Sequence, residues 1–480
     1  MNQRPAILAL CLPLAALGAC RAPGETGRPA AAAQALSRLP SPPPVSVAWL
    51  DSLARSYVGR KHLVGLSVGV AQDGRIVFAR GYGFASLAGH APVEPTTRFA
   101  IGSVTKQFTC AAVLLLQESG RMSLQDPVAK YFPGLTRAKD ITLLDLGNHV
   151  SGYRDYYPLD FVDREMSRPT TADSVIAEYA TRPLDFEPGT RWSYSNTNFL
   201  ILGRVVEKVS GVPFGAFLDQ HIVTPLGMRL TGYDPAPGGA GMAAGYTSFA
   251  LGAPAVAAPE GAGWAGMAGA LWSTPSDLLT WDLALLDGKV LGPDSYRTLT
   301  TPRRLADGRS TGYGCGDGVS DRGEAVVLTH GGAVSGFTAQ NTVIPATRSA
   351  IVLMSNADFG SLGDLSRAIL AQLTPVSAVP AIQGPSALEA ATAFLSQLRS
   401  GRLDRTALGG DFDAFLTAER LAEARKTLAG RISDVQIAGT GERGGMEVAT
   451  VRFKVGARDA AALLYRTPDG KIQEFLVYQP

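Results

Sequence analysis

Cysteine is scarce, and what there is argues against a metal centre. The four are Cys11, Cys20, Cys110 and Cys315. No pair of them, and no Cys/His cluster, has the close spacing of a zinc site, so no metal and no cofactor is expected. A surplus of charge is also missing. The formal net charge is +2 over 480 residues, which excludes a global bias toward nucleic acid or an anionic membrane. Beyond the first twenty residues no apolar run is long enough to cross a bilayer. What remains is 46% hydrophobic and 18% charged, the composition of a globular chain with a large core. Its length fits two or three domains.

The first twenty residues read as processing rather than fold. Arg4 supplies a short positive region, and Ile7 to Leu17 is apolar but too short to span a membrane. The stretch ends in L-G-A-C, Leu17 to Cys20, which resembles a bacterial lipoprotein signal with Cys20 as the lipidated residue. An ordinary secretory signal cut after a small residue is the alternative. Either way the chain is expected to be exported, periplasmic or lipid-anchored to a bacterial membrane through Cys20. Residues 21–44 are rich in Pro, Ala and Gly and read as a tether.

Phe99 to Gly120 carries the first chemical signal. It reads as one buried helix with Ser103 in its first turn, Lys106 three residues on and Gly120 as the stop. Residues three apart share a helix face, so the Ser103 hydroxyl and the Lys106 amine can meet. Unpaired N–H groups at a helix start favour a developing oxyanion. Apolar surroundings weaken an amine's preference for its charged form, which suits a proton acceptor. Nine lysines in 480 residues make roughly one Ser-x-x-Lys expected by accident, so the motif alone decides nothing.

The surrounding chain adds context. Val45 to Arg60 has helical spacing, with Val47, Leu50, Leu53, Ala54 and Tyr57 on one side. Two β-type runs flank Asp73-Gly74, a hairpin signal. Gly65 to Gly69, G-L-S-V-G, matches a nucleophile elbow in letters only. That motif needs a strand-to-helix turn, and Ser67 sits mid-strand. His149 has apolar neighbours and reads as a buried structural histidine. Tyr194 and Asn196 lie two apart on the approach to an apolar helix, Phe199 to Val209, and can face one cleft. Residues 235–269 read as Gly- and Ala-rich loops; Tyr246 and Trp264 within them, and Trp272 just beyond, either wall a cleft or pack in the core. Thr274 and Pro275 open a helix to Leu286. His330 stands at the end of a β-type run beside Gly331 and Gly332, where a backbone can approach a ligand closely. A helix from Leu362 to Leu373 closes the region.

Three motifs in order, S-V-T-K at Ser103, Y-S-N at Tyr194 and H-G-G at His330, resemble the serine β-lactamase and penicillin-binding-protein superfamily. The likeness is greatest to class C β-lactamase-like hydrolases, which include esterases and D-amino-acid peptidases. It implies an α/β, β-lactamase/transpeptidase-like fold: an antiparallel sheet flanked by helices, plus a helical subdomain, over residues 45–374. It also implies the roles. Ser103 is the nucleophile, and Lys106 shapes proton transfer. Tyr194 is the base, as phenolate or through Lys106. Asn196, His330, Gly331 and Gly332 bind substrate, and the N–H groups of Ser103 and Ala333 form the oxyanion hole. Related enzymes carry K-T-G where this chain has H-G-G. An unperturbed histidine is mostly neutral near pH 7. The expectation is therefore a serine acyl hydrolase for small esters, amides or peptides, with no nucleic-acid partner. A D-alanyl-D-alanine carboxypeptidase or β-lactamase, and a non-catalytic penicillin-recognising sensor, are the alternatives.

Residues 375–386 read as a linker. Beyond them, helix signals at Ser386 to Ser400 and Thr417 to Ala429 precede four β-type runs with an Asp469-Gly470 turn. Residues 387–480 thus form a small α+β domain that resembles the nuclear-transport-factor-like cone, with an accessory role. Cys110 reads as inert packing, and spacing alone does not pair it with Cys315.

Overall fold

The computed structural model describes residues 42–157, 162–235, 238–250, 252–321, 325–374, 381–443 and 445–479. The leader, Cys20 and most of the tether lie outside these residues, as do residues 375–380 of the expected linker.

The first helix, α1, runs Val47–Lys61 behind a Ser46 cap and buries Leu50, Ala54 and Tyr57. Val47, expected on that face, is 43% exposed because it lies in the first turn. Strands β1 (Gly65–Gln72) and β2 (Arg75–Ser86) form the expected hairpin. Its turn residues Asp73 and Gly74 are both left-handed, at φ 54° and 76°, as a tight hairpin requires. Further helices are α2 (Thr105–Glu118), α3 (Asn196–Ser210) and α4 (Pro275–Leu286, capped by Thr274). Strands β3 (Val326–Val334), β4 (Phe337–Ile344) and β5 (Ser349–Ser355) follow, and α5 (Gly363–Leu373) completes the domain.

Among the described residues the main sheet has seven strands, ordered Ala91–Pro92, β2, β1, β5, β4, β3 and Gly318–Asp321. The pairings that involve β1 to β5 are antiparallel. β1 is buried along its whole length because both faces are covered. Leu66, Val68 and Val70 pack in one core with α1 and α5. The other face carries small residues, Ser67, Gly69 and Ala71. A Cβ on Gly69 would lie 2.7 Å from Pro275 of α4, so this helix sits almost on the strand. Ser67 is fully buried, so G-L-S-V-G is no nucleophile elbow. The second, larger core surrounds α2 and α3.

A separate domain follows. Helices α6 (Ala387–Ser400) and α7 (Ala418–Thr427) pack with a four-stranded antiparallel sheet in the order β6 (Ile432–Arg443), β7 (Met446–Val455), β8 (Arg458–Arg466), β9 (Ile472–Tyr478). Phe394, Phe412, Phe453 and Phe475 centre its own core. A short helix, Gly410–Phe415, has no counterpart in the sequence reading, since six residues carry too little periodicity to register.

Candidate active site

The expected single helix from Phe99 is broken into three pieces. Phe99–Ala100 is a short strand, Gly102–Val104 a 3-10 turn, and the α-helix starts at Thr105. Gly102 causes the break. Its φ of +50° is left-handed, and a Cβ there would lie 2.7 Å from the Ala333 nitrogen on β3. Ser103 therefore sits on a tight turn at the head of α2, where N–H groups have no partner within the helix. Lys106 lies one turn further on, fully buried.

The Lys106 amine has three oxygen neighbours. Its Nζ is 2.9 Å from Ser103 Oγ, 2.7 Å from Asn196 Oδ1 and 2.9 Å from the Ala268 carbonyl. The rings of Tyr194 and Phe199 complete its surroundings, at 4.9 and 5.4 Å. Burial drives its pKa from the ordinary 10.5 down to about 7, and the Asp155 charge pulls back upward. A neutral amine has two N–H donors and one lone pair. Asn196 Oδ1 and the Ala268 carbonyl can only accept, so they take both donors, and the lone pair faces the Ser103 hydroxyl.

Asn196 holds its carbonyl toward Lys106 because Asp155 takes its other end. Asn196 donates from Nδ2 to Asp155 Oδ1 and Oδ2 at 3.1 and 3.2 Å, and from its backbone N to Oδ1 at 2.9 Å. Tyr194 enters from the same turn, its ring centroid 4.9 Å from Lys106 Nζ, and lines the cleft beside Ser103. Burial pushes its phenol above its ordinary 10, so it stays protonated. Ser103, Lys106, Tyr194 and Asn196 thus meet at one point, although ninety residues separate Lys106 from Asn196.

The H-G-G stretch lies within β3, not at its end. A Cβ on Gly332 would lie 1.9 Å from the Ile101 carbonyl and 3.2 Å from the Ser103 nitrogen, so only glycine lets strand and turn close up. Gly331, Gly332 and Ala333 line the cleft together with Ser103. His330 departs from the expectation of a substrate-binding side chain. Its ring is buried in the wall with both nitrogens engaged. Nδ1 donates to the Gly331 carbonyl at 2.6 Å, and Nε2 accepts from the Tyr313 hydroxyl at 2.8 Å. Burial, with the nearby Lys106 charge, lowers its pKa to about 3, so it is neutral. Tyr313 comes from a loop whose Cys315 is disulfide-bonded to Cys110 of α2. Cys110 is thus a cross-link rather than inert packing; folding joins two sulfurs 205 residues apart in sequence.

The cleft has a volume of about 480 Å³. Asp155, Tyr157, Tyr194, Asn196 and Gln340 wall it near Ser103. Tyr246 and Trp264 are buried, whereas Trp272 is partly exposed and lines a smaller neighbouring cavity. Sequence reading missed Asp155 and Tyr313, which sit in irregular segments without a spacing signal, and the Ala268 carbonyl, which sits in a helix, Gly266–Gly269, too short to show one. A count of the donors and acceptors around Asn196 finds the first.

A serine at a helix start, with a buried amine on its hydroxyl and a phenol beside them in the same cleft, is the constellation of an acyl-transferring serine hydrolase. Comparison narrows this: the chain belongs to the beta-lactamase family, whose profile matches residues 50–374. It is a serine hydrolase of that superfamily. A D-aminopeptidase of Brucella canis is 28% identical over 343 residues, 70% of this chain and 63% of the relative. This chain thus spans less than two thirds of that protein's length. A D-stereospecific amidohydrolase from Streptomyces sp. superposes with a TM-score of 0.59 at 27% identity, covering 68% of this chain and 98% of the other. An octameric penicillin-binding protein homologue from Pyrococcus abyssi shares the fold at 20% identity and a TM-score of 0.61, over 90% of this chain and all of the other.

Proposed function

We propose that the protein hydrolyses small amides and esters through an acyl-enzyme on Ser103, with D-aminoacyl amides among the amides. Neutral Lys106 takes the Ser103 proton as Oγ attacks the substrate carbonyl. The N–H groups of Ser103 and Ala333 receive the oxyanion, and the protonated Tyr194 phenol delivers a proton to the leaving amine or alcohol. The phenol is then restored through Lys106. Water repeats the sequence on the acyl-enzyme, and its proton returns to Ser103. Of the two expected routes, a Tyr194 phenolate or proton transfer through Lys106, this reading takes the second: the proton acceptor at rest is the amine. The observation that carries the reading is the pair of acceptors, Asn196 Oδ1 and Ala268 O, that turns the Lys106 lone pair onto Ser103.

The substrate class follows from charge. Among the described residues lining the cleft, the charged side chain is an acid, Asp155. His330 is neutral and engaged, so it offers a substrate carboxylate no cation. Substrates without a carboxylate beside the scissile bond are therefore favoured over β-lactams and peptide C-termini. The test is kcat/KM on nitrocefin, a p-nitrophenyl ester and D-alanine p-nitroanilide. The ester or anilide is expected to lead, and nitrocefin far ahead of both overturns the ranking.

We also infer export and anchoring through Cys20, supported by the L-G-A-C leader, and a nuclear-transport-factor-like accessory role for residues 387–480, supported by the order of its helices and strands. Metabolic labelling with palmitate, absent from Cys20→Ala, tests the anchor.

A further inference from the structure

We infer that His149 is the positioning residue of the Tyr194 phenol: it clips the backbone on both sides of that tyrosine and backs its ring. The inference rests on the acyl-transfer role proposed for Tyr194. Its carbonyl accepts from the Ser193 N–H at 3.0 Å. Its side-chain Nδ1 accepts from the Ser195 N–H at 3.1 Å. The residues immediately before and after Tyr194 are thus held by one histidine. Its ring also lies against the Tyr194 ring, with centroids 4.3 Å apart and planes inclined by 33°. Next along the chain, the Asn196 N–H is taken by Asp155. Phenol and amide are therefore presented by one turn, held from two sides.

The chemistry demands a neutral imidazole. Nδ1 can accept only if it carries no proton, so the proton is on Nε2. Nε2 is fully buried with no hydrogen-bond partner among the described residues. Phe199, Tyr313 and Trp192 surround the ring at centroid distances of 5.2, 4.9 and 6.0 Å. Burial and the nearby Lys106 and His330 hold the pKa well below its ordinary value. A histidine retained only as core filler has no need of an orphaned N–H donor, which costs roughly 1–3 kcal/mol. Phenylalanine would fill the space without it but would release the Ser195 N–H. The backbone of His149 is left-handed, φ 57°, a conformation asparagine also adopts readily. Asparagine also places an acceptor near the position of Nδ1.

The test is a double-mutant cycle on p-nitrophenyl acetate with wild type, His149→Phe, Tyr194→Phe and the double variant, plus His149→Asn as the rescue. Rates are normalised to folded sites by endpoint fluorophosphonate labelling of Ser103. His149→Phe is expected to lower kcat about 100-fold with KM within about threefold, the cost of a reacting group displaced by about an ångström. His149→Asn recovers kcat to within about fivefold of wild type. With the phenol already gone, His149→Phe costs less than about threefold more. Full multiplication in the double variant, an unchanged kcat for His149→Phe, or no rescue by asparagine overturns the inference. Tyr194→Phe at the wild-type rate instead overturns the role of Tyr194 and the inference with it. If His149→Phe fails to fold, His149→Gln, whose acceptor sits one carbon further out, replaces it with the same expectations.

Discussion

Replacing Asp155 by asparagine probes the site at the residue least visible in the sequence. The carboxylate accepts three hydrogen bonds from Asn196: two involve the side-chain Nδ2 and one the backbone N. These keep Asn196 Oδ1 on Lys106. An amide at position 155 can turn its own NH₂ toward these donors, and the Asn196 side chain is then free to flip. Its Nδ2 would face the amine and deprive Lys106 of an acceptor. Loss of a hydrogen bond to a charged group costs about 1.5–3 kcal/mol, or about 10- to 150-fold in kcat/KM. A second effect has a definite sign. The Asp155 charge raises the Lys106 pKa, so its removal lets the amine lose its proton at lower pH. The rising limb of kcat/KM, centred at about 7 in the wild type, moves to more acid pH while its plateau falls. Stopped assays on a p-nitrophenyl ester from pH 5 to 9 measure both. A plateau within about twofold of wild type, or a limb displaced to alkaline pH, refutes the reasoning.

The Cys110–Cys315 bond closes a segment spanning a sequence separation of 205. The chain-entropy relation sets its upper contribution at about 5 kcal/mol at 25 °C. The Cys110→Ser/Cys315→Ser variant is expected to melt several degrees lower by calorimetry, and an unchanged Tm contradicts a stabilising bond. Both sulfurs are buried, so iodoacetamide after mild reductant should reach them only once the protein is unfolded. Gly332→Ala places a Cβ 1.9 Å from the Ile101 carbonyl. It is expected to part β3 from the Ser103 turn and cut kcat at least about 100-fold, the scale of losing one oxyanion donor. Normal turnover in that variant would show that the close approach is not needed for catalysis.

The hairpin at Asp73-Gly74, the helix at Thr274-Pro275 and the C-terminal strands were legible because each is set by its own residues. So were Ser103 and Lys106, one helical turn apart. The meeting of Lys106 with Asn196 was legible only through the superfamily resemblance. What escaped depends on distant chain segments. Asp155 acts from a loop 41 positions before Asn196, and Tyr313 reaches His330 from a loop tied to α2. No local periodicity marks either. Residue type and neighbours point His330 at the substrate, while its actual direction depends on Tyr313. Apolar neighbours mark His149 as structural; that it clips Ser193 and Ser195 appears only once the loops are folded.

Acylation at Ser103 Oγ, with neutral Lys106 as the acceptor of its proton, is the step on which the proposed function depends. The direct measurement is the pH dependence of fluorophosphonate acylation, followed by intact-protein mass spectrometry with mapping of the labelled peptide. One adduct per chain is expected, on Ser103, forming at a rate that rises through pH of about 7 with the deprotonation of Lys106. An adduct on another residue, or a Ser103 labelling rate that stays flat from pH 5 to 9, would contradict it.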